Sequence, residues 1–259
     1  MVPDLETSRS QPFAARRPRT IALVGIDGSG KTTQAHGLAV ALAARGLPAT
    51  YRRNAGGRRW FGNLAARFGQ ADGEALLGRK TMLLVESVLR WLAILRTLLR
   101  RKLTGEVAVM DRYAVCQYAS IRAHAKTPKP EKLNRAERRA RLAYGLFPRP
   151  DVTFLLAVDP AVAYDRIEKR AYDHEDMSYL NAASAAYRSL PEYQDFVVID
   201  ANGTEVEVAA ALLAHLATAA PYVPAQRSLM TSHARALIVT AATLAAAASA
   251  LTYQLAEGF

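Results

Sequence analysis

The run Gly25-Ile26-Asp27-Gly28-Ser29-Gly30-Lys31-Thr32-Thr33 brings together three kinds of group that handle a polyphosphate. Gly28 and Gly30 let the backbone come close and turn its N–H groups inward. Lys31 can reach the outer phosphates, and the Thr32 hydroxyl is a ligand type for magnesium. The spacing is that of the G-x-x-x-x-G-K-[ST] phosphate loop, or P-loop. The expected ATP-binding set is therefore Gly25, Asp27, Gly28, Ser29, Gly30, Lys31, Thr32 and Thr33, with Mg2+ as the accompanying ion. A second constellation, Asp111-Arg112-Tyr113, closes the apolar run Val107 to Met110. An acidic residue at the end of such a strand, downstream of a P-loop, is where magnesium or its waters are held, so Thr32 and Asp111 are the expected metal residues. Arg112 can bridge donor and acceptor phosphates as charge moves between them. Tyr113 can pack beneath a sugar or a base. The plainer alternatives are a chance glycine turn and a surface salt-bridge triplet. The order strand, loop, Lys-Thr, helix argues against the first, and the joint occurrence argues against the second.

The elements that must position these groups are legible as alternating strands and helices. Thr20 to Val24 reads as a buried strand. Thr32 to Arg45 reads as a helix with Ala35, Leu38, Ala39 and Leu42 on one face. Gly46 and Pro48 punctuate before a short strand, Ala49 to Arg52, and a glycine- and arginine-rich loop spans Asn54 to Arg59. Residues 74–102 carry a long helical pattern that Gly105 ends, and Val107 to Met110 is the third strand. A basic helix is expected over 131–146 and a fourth strand over Val152 to Val158. Asp159-Pro160 is a helix N-cap followed by proline at N1, starting a helix that runs to about Arg170. Another helix covers 177–189, Phe196 to Ile199 is the fifth strand, and Glu205 to Leu216 is a last helix. This alternation predicts an α/β fold: a five-stranded parallel sheet with helices on both faces and ligands at the carboxyl ends of the strands.

Composition sets the outer bounds. A chain of 259 residues, 51% hydrophobic, is long enough for one α/β domain with tails. Its single cysteine, Cys116, excludes an intramolecular disulfide framework and any cysteine-cluster metal site, and suits a reducing cytoplasm. The net charge of +11 favours anionic partners. The basic residues between 122 and 148 (Lys126, Lys129, Lys132, Arg135, Arg138, Arg139 and Arg141) lack interleaved aromatics, so a solvated basic surface is expected there rather than a nucleic-acid platform. Residues 1–19 have no apolar core for a secretory signal and read as a basic disordered tail, with the folded domain over 20–219. Pro221 and Pro224 mark a linker over 220–235. Residues 236–256 then run uncharged and alanine-rich. That segment is long enough to span a bilayer, and its marginal hydrophobicity leaves open a tail anchor on the inner face of a membrane or a soluble packing helix.

The motifs together resemble the thymidylate kinase family of nucleoside monophosphate kinases. The P-loop looks like the family's G-x-D-G-x-G-K-T-T, and Arg53-Asn54-Ala55-Gly56-Gly57 sits where the family has Arg-Glu-Pro-Gly-Gly. Asp111-Arg112-Tyr113, Arg149-Pro150-Asp151 with its following strand, and Phe196 to Ala201 each have a counterpart in order. The resemblance covers roughly residues 20–217. It implies a P-loop NTPase fold with a lid, and Mg-dependent transfer from ATP to a nucleoside monophosphate, foremost dTMP to dTDP. It implies catalytic roles for Lys31, Asp111, Arg112, Arg53 and Arg170. Asp27, Arg53, Arg90 and Tyr113 would contact the acceptor. Arg166, Lys169 and Arg170 would share one helical face in the lid. The family is usually dimeric through a helix of the 74–102 type, where Trp91 and Leu95 are candidates. The chain departs from the pattern on the acceptor side: Glu86 stands where the family has an aromatic residue, Asn54 replaces an acid, Val24 a glutamate, and Cys116 a serine. Two alternatives follow: a divergent kinase with another phosphorylated acceptor, and a membrane-associated nucleotide-binding module without transferase activity.

Overall fold

A computed structural model describes residues 18–54, 79–125, 135–170 and 175–217, with side chains at 79–84 and 86 excepted. Five strands form one parallel sheet: β1 Thr20–Val24, β2 Ala49–Arg53, β3 Val107–Asp111, β4 Val152–Ala157 and β5 Val197–Asp200, in the order β2-β3-β1-β4-β5. Every residue of β1 is buried although successive side chains point to opposite faces, so the central strand is covered on both sides. Seven α-helices lie among the described residues: α1 Lys31–Ala44, α2 Arg79–Thr104, α3 Ala114–Ala123, α4 Arg135–Tyr144, α5 Pro160–Glu168, α6 Met177–Ser189 and α7 Glu205–Ala217, with a 3-10 turn at Pro191–Asp195. Helix α1 packs with α7, while α3 packs on α6, α4 and α2.

Local chemistry sets the boundaries. The N–H groups of Gly46 and Leu47 return to the carbonyls of Ala43 and Leu42, the paired bonds of a Schellman ending for α1. The Asp159 side chain accepts from Ala161 N–H at 2.8 Å with Pro160 at N1, as the sequence predicts for α5. Asp151 Oδ2 takes three donors, Arg19 N–H, Thr20 N–H and Thr20 Oγ1, which fastens the start of β1 to the start of β4.

Helix α3 has no counterpart in the sequence-based expectation. Ala114, Val115, Cys116, Tyr118, Ala119 and Ile121 are apolar nearly all round it, and it is enclosed by three other helices, so no one-sided period marks it. The basic helix is described from Arg135 and ends at Tyr144, two residues before the expected end, and one of its arginines is held in ion pairs. Arg141 donates to Glu137 at 2.9 and 3.0 Å, pairs with Glu192, and lies 4.4 Å over the Tyr118 ring. Arg122 donates to the other Glu137 oxygen at 2.9 Å and to Ser189. Arg135, Arg138 and Arg139 are exposed. The basic tail through Arg17, the loop 55–59, Lys126, Lys129, Lys132, and the linker and apolar segment beyond 217 lie outside the described residues. Among the described residues no helix is long and apolar enough to cross a membrane.

Candidate active site

The loop from Gly25 to Gly30 crosses from the end of β1 to the start of α1, and its shape depends on missing side chains. Gly28 has φ +82°, and a Cβ there would fall 2.4 Å from the Ala163 carbonyl oxygen. A Cβ on Gly25 would fall 2.7 Å from the Leu156 carbonyl oxygen. Lys31 is buried, and its ammonium folds back to donate to the Ile26 carbonyl, 3.5 Å from Asp27 and from Ser29 Oγ. Burial pulls the Lys31 pKa below the ordinary lysine value, and Asp27 partly offsets this. An incoming polyphosphate would add to the counter-charge that Asp27 supplies only in part.

Asp111 ends β3 beside this loop and is 2% exposed. Its Oδ2 accepts from Thr32 Oγ1 at 2.7 Å and from Tyr51 OH at 3.2 Å. Its Oδ1 is buried with no partner. A buried carboxylate oxygen left open beside a threonine hydroxyl fits a hard divalent cation or its waters, so the residues present suit Mg2+. No cluster of three or more His, Cys, Asp or Glu able to hold a metal occurs among the described residues. An ion here would share its remaining positions with phosphate oxygens and water.

Arg112 turns its guanidinium onto the Asp27 carboxylate. Asp27 beside it pushes its pKa still further above the ordinary arginine value, outweighing burial. Arg53 ends β2 in register with Asp111 and is exposed. Arg90 projects from α2, 7% exposed, donating to Gln117 Oε1 at 2.6 Å, while its Nε is buried without a partner. A buried guanidinium nitrogen left open in this way suits an anionic or carbonyl-bearing ligand.

The remaining expected residues are placed differently. Tyr113 is buried and its hydroxyl donates to the Pro148 carbonyl at 2.6 Å, so only its ring is left for an acceptor. Ser29 is buried and Thr33 exposed. Arg166 is not a lid cation: it donates to the carbonyls of Ala201, Asn202 and Gly203 at 2.8–3.0 Å, holding the loop before α7. Lys169 pairs with Asp165. Arg170 lies just past the end of α5, exposed. Trp91 is half-buried against α4, donating to the Ala143 carbonyl and lying 5.0 Å from the Phe147 ring. Four residues join the site without a sequence signal that assigned them: Tyr51, Gln117, Tyr187 and the side chain of Asn54. Tyr187 is buried on α6, close to Cys116 and to Arg112. Burial and then Cys116 push its pKa well above the ordinary value.

The arrangement can hold a triphosphate on the P-loop, neutralise charge with Lys31 and Arg112, and accept a second anion near Arg90. That is the apparatus of phosphoryl transfer, which depends on positioning and charge stabilisation. The family model described as thymidylate kinase matches residues 23–212. The chain is similar to a thymidylate kinase of Dinoroseobacter shibae, at 29% identity over 78% of this chain and 98% of that protein. It is 32% identical to a probable thymidylate kinase of Pyrobaculum calidifontis over 73% of this chain and 91% of that one. A probable thymidylate kinase of Methanosarcina acetivorans matches at 29% over 76% and 94%.

Proposed function

The chain belongs to the thymidylate kinase family, and from that premise we propose that it transfers the γ-phosphoryl group of ATP to dTMP, giving ADP and dTDP. An oxygen of the acceptor phosphate forms the new P–O bond as the bond to the ADP leaving oxygen breaks. The P-loop N–H groups and Lys31 hold the donor phosphates, and Thr32 with Asp111 would hold Mg2+, which supplies charge neutralisation when bound. Arg112 exchanges Asp27 for the phosphoryl oxygens at the transfer point, and Arg53 reaches the same region from β2. Arg90, backed by Gln117, grips the acceptor, and Arg170 closes over the phosphates. Water is excluded by the buried floor of Ile26, Tyr113 and Tyr187.

One observation carries this reading. Thr32 of the P-loop and Asp111 of β3, 79 residues apart, meet at 2.7 Å with the second carboxylate oxygen left open. The test is an ATP–magnesium transfer assay over a panel of nucleoside monophosphates. The expected result is dTMP as the preferred acceptor and a loss of at least about 100-fold in kcat for Lys31→Ala. Transfer that survives Lys31→Ala, or a panel in which dTMP is not used, would overturn it. The panel also addresses Glu86, whose side chain lies outside those described.

We further propose that the enzyme works as a homodimer. Val88, Leu92, Leu99 and Leu103 form an exposed apolar stripe along α2, and a second copy of the chain is its natural cover. A cytoplasmic compartment is supported by the single, buried cysteine.

A further inference from the structure

Asn54, the residue just past β2, has none of its surface exposed, and both polar atoms of its side chain are hydrogen-bonded. Its N–H donates to the Asp111 carbonyl at 3.0 Å. Its Nδ2 donates to the Arg112 carbonyl at 3.0 Å, and its Oδ1 accepts from Thr97 Oγ1 at 3.1 Å. A carbonyl can only accept, so the amide nitrogen must face Arg112 and the amide oxygen must face Thr97. Thr97 is itself 3% exposed.

Arg112 is the one non-glycine residue with positive φ among those described, at +76°. A left-handed arginine is a strained conformation that persists only where its surroundings over-determine it. Here its N–H donates to the Leu23 carbonyl at 3.1 Å and its carbonyl accepts from Asn54. The turn is thus pinned to β1 on one side and to the end of β2 on the other, and it delivers the guanidinium to Asp27 on the P-loop.

We propose that Asn54 is a positioning residue for Arg112, and that Thr97 fixes the orientation of the Asn54 amide. The inference rests on the reading of Arg112 as the group that meets the transferring phosphoryl. It adds a connection: Thr97 and Arg90 stand on the same helix, α2. The helix that grips the acceptor therefore also sets the arginine at the transfer point. Asn54 occupies the place where the resemblance leads one to expect an acid, and a carboxylate there has no hydrogen to give the Arg112 carbonyl.

Asn54→Asp keeps the shape and the acceptor for Thr97 but removes the donor to Arg112. Thr97→Val keeps the shape of the threonine and removes the donor to Asn54. Both are compared with Arg112→Ala by steady-state kinetics, and the guanidinium of Arg112 is followed by NMR of arginine-labelled protein. Asn54→Asp is expected to lower kcat about 100-fold, the scale of a small misplacement, with KM for both nucleotides within about twofold. Thr97→Val is expected to lower kcat about fivefold, the loss of one neutral hydrogen bond. In both, the Arg112 resonance should lose its ion-paired signature. Wild-type kcat and an unmoved Arg112 resonance in Asn54→Asp, beside an inactive Arg112→Ala, overturn this inference alone. Full activity in Arg112→Ala overturns the underlying reading instead, and the resonance still reports whether Asn54 sets the arginine. If Asn54→Asp does not fold, Thr97→Val carries both readouts. A lower melting temperature with the Arg112 resonance unmoved reduces Asn54 to a structural residue and also overturns the proposal.

Discussion

Two hydroxyls, Thr32 Oγ1 and Tyr51 OH, donate to the same oxygen of Asp111 and leave the other one open. The carboxylate is thereby held in one rotation, with its free lone pairs on Oδ1. Burial first, and then Asp111, push the Tyr51 hydroxyl up to about 12, so it remains a donor throughout the range in which the enzyme would be assayed. Tyr51→Phe removes one donor without changing the ring that meets His36 edge-on. The expected outcome is a rise of about fivefold in the magnesium concentration for half-maximal rate, from ~1 kcal/mol for one neutral hydrogen bond. An unchanged magnesium dependence would mean that Thr32 alone orients Asp111. The P-loop and Asp111-Arg112 are readable in the sequence because their chemistry is local. Tyr51, Asn54 and Arg166 are not readable, because their partners lie 60, 58 and 35 to 37 residues away. Strand register and loop packing decide those contacts, and no residue spacing encodes them.

Strands β1 to β5 and the cap of α5 follow from short apolar runs and from Asp159-Pro160, both strong local signals. Helix α3 is missed because its apolar residues occupy nearly every face, which is what burial among three helices demands. Helix α2 shows the opposite case. Ile94 is buried and Trp91 half-buried, while Val88, Leu92, Leu99 and Leu103 stay exposed on one stripe. Apolarity alone identifies the helix, but it does not tell which apolar residues the fold leaves uncovered. If that stripe is the dimer contact, Leu92→Glu and Leu99→Glu place charges at its centre. Light scattering during gel filtration should then show a dimer for the parent chain and a monomer for the double variant. A parent chain that is monomeric at micromolar concentration would dismiss the contact.

Beyond the sheet, the molecule is joined by a chain of charges. Arg122 and Arg141 share Glu137, which is 1% exposed, and Arg141 continues to Glu192, linking α3, α4 and the 3-10 turn Pro191–Asp195 that follows α6. Burial alone would raise the Glu192 pKa, but hydrogen bonds from Arg141 outweigh it and hold the carboxyl below its ordinary value of 4.5. A carboxylate with a lowered folded pKa adds stability that is fully present above the unfolded value. That stability is lost as pH falls through the folded value. Melting temperatures measured from neutral pH downward should therefore fall below about pH 4.5, and Glu192→Gln should make that decline shallower. An equally steep decline in the variant would place the acid sensitivity elsewhere.

The strand order β2-β3-β1-β4-β5 also opposes the order of synthesis. The first of the described strands to leave a ribosome, β1, is the one that ends at the centre, and it is the only one described whose every residue is buried. Its neighbours β3 and β4 are made roughly 90 and 130 residues later, so Ile21 to Val24 emerge long before anything can cover them. The phosphate loop likewise exists well before Asp111 and Arg112 arrive to complete it. Nucleotide can stabilise only the finished site, which makes the nascent chain dependent on protection by other means until β4 has docked and Asp151 has reached Thr20.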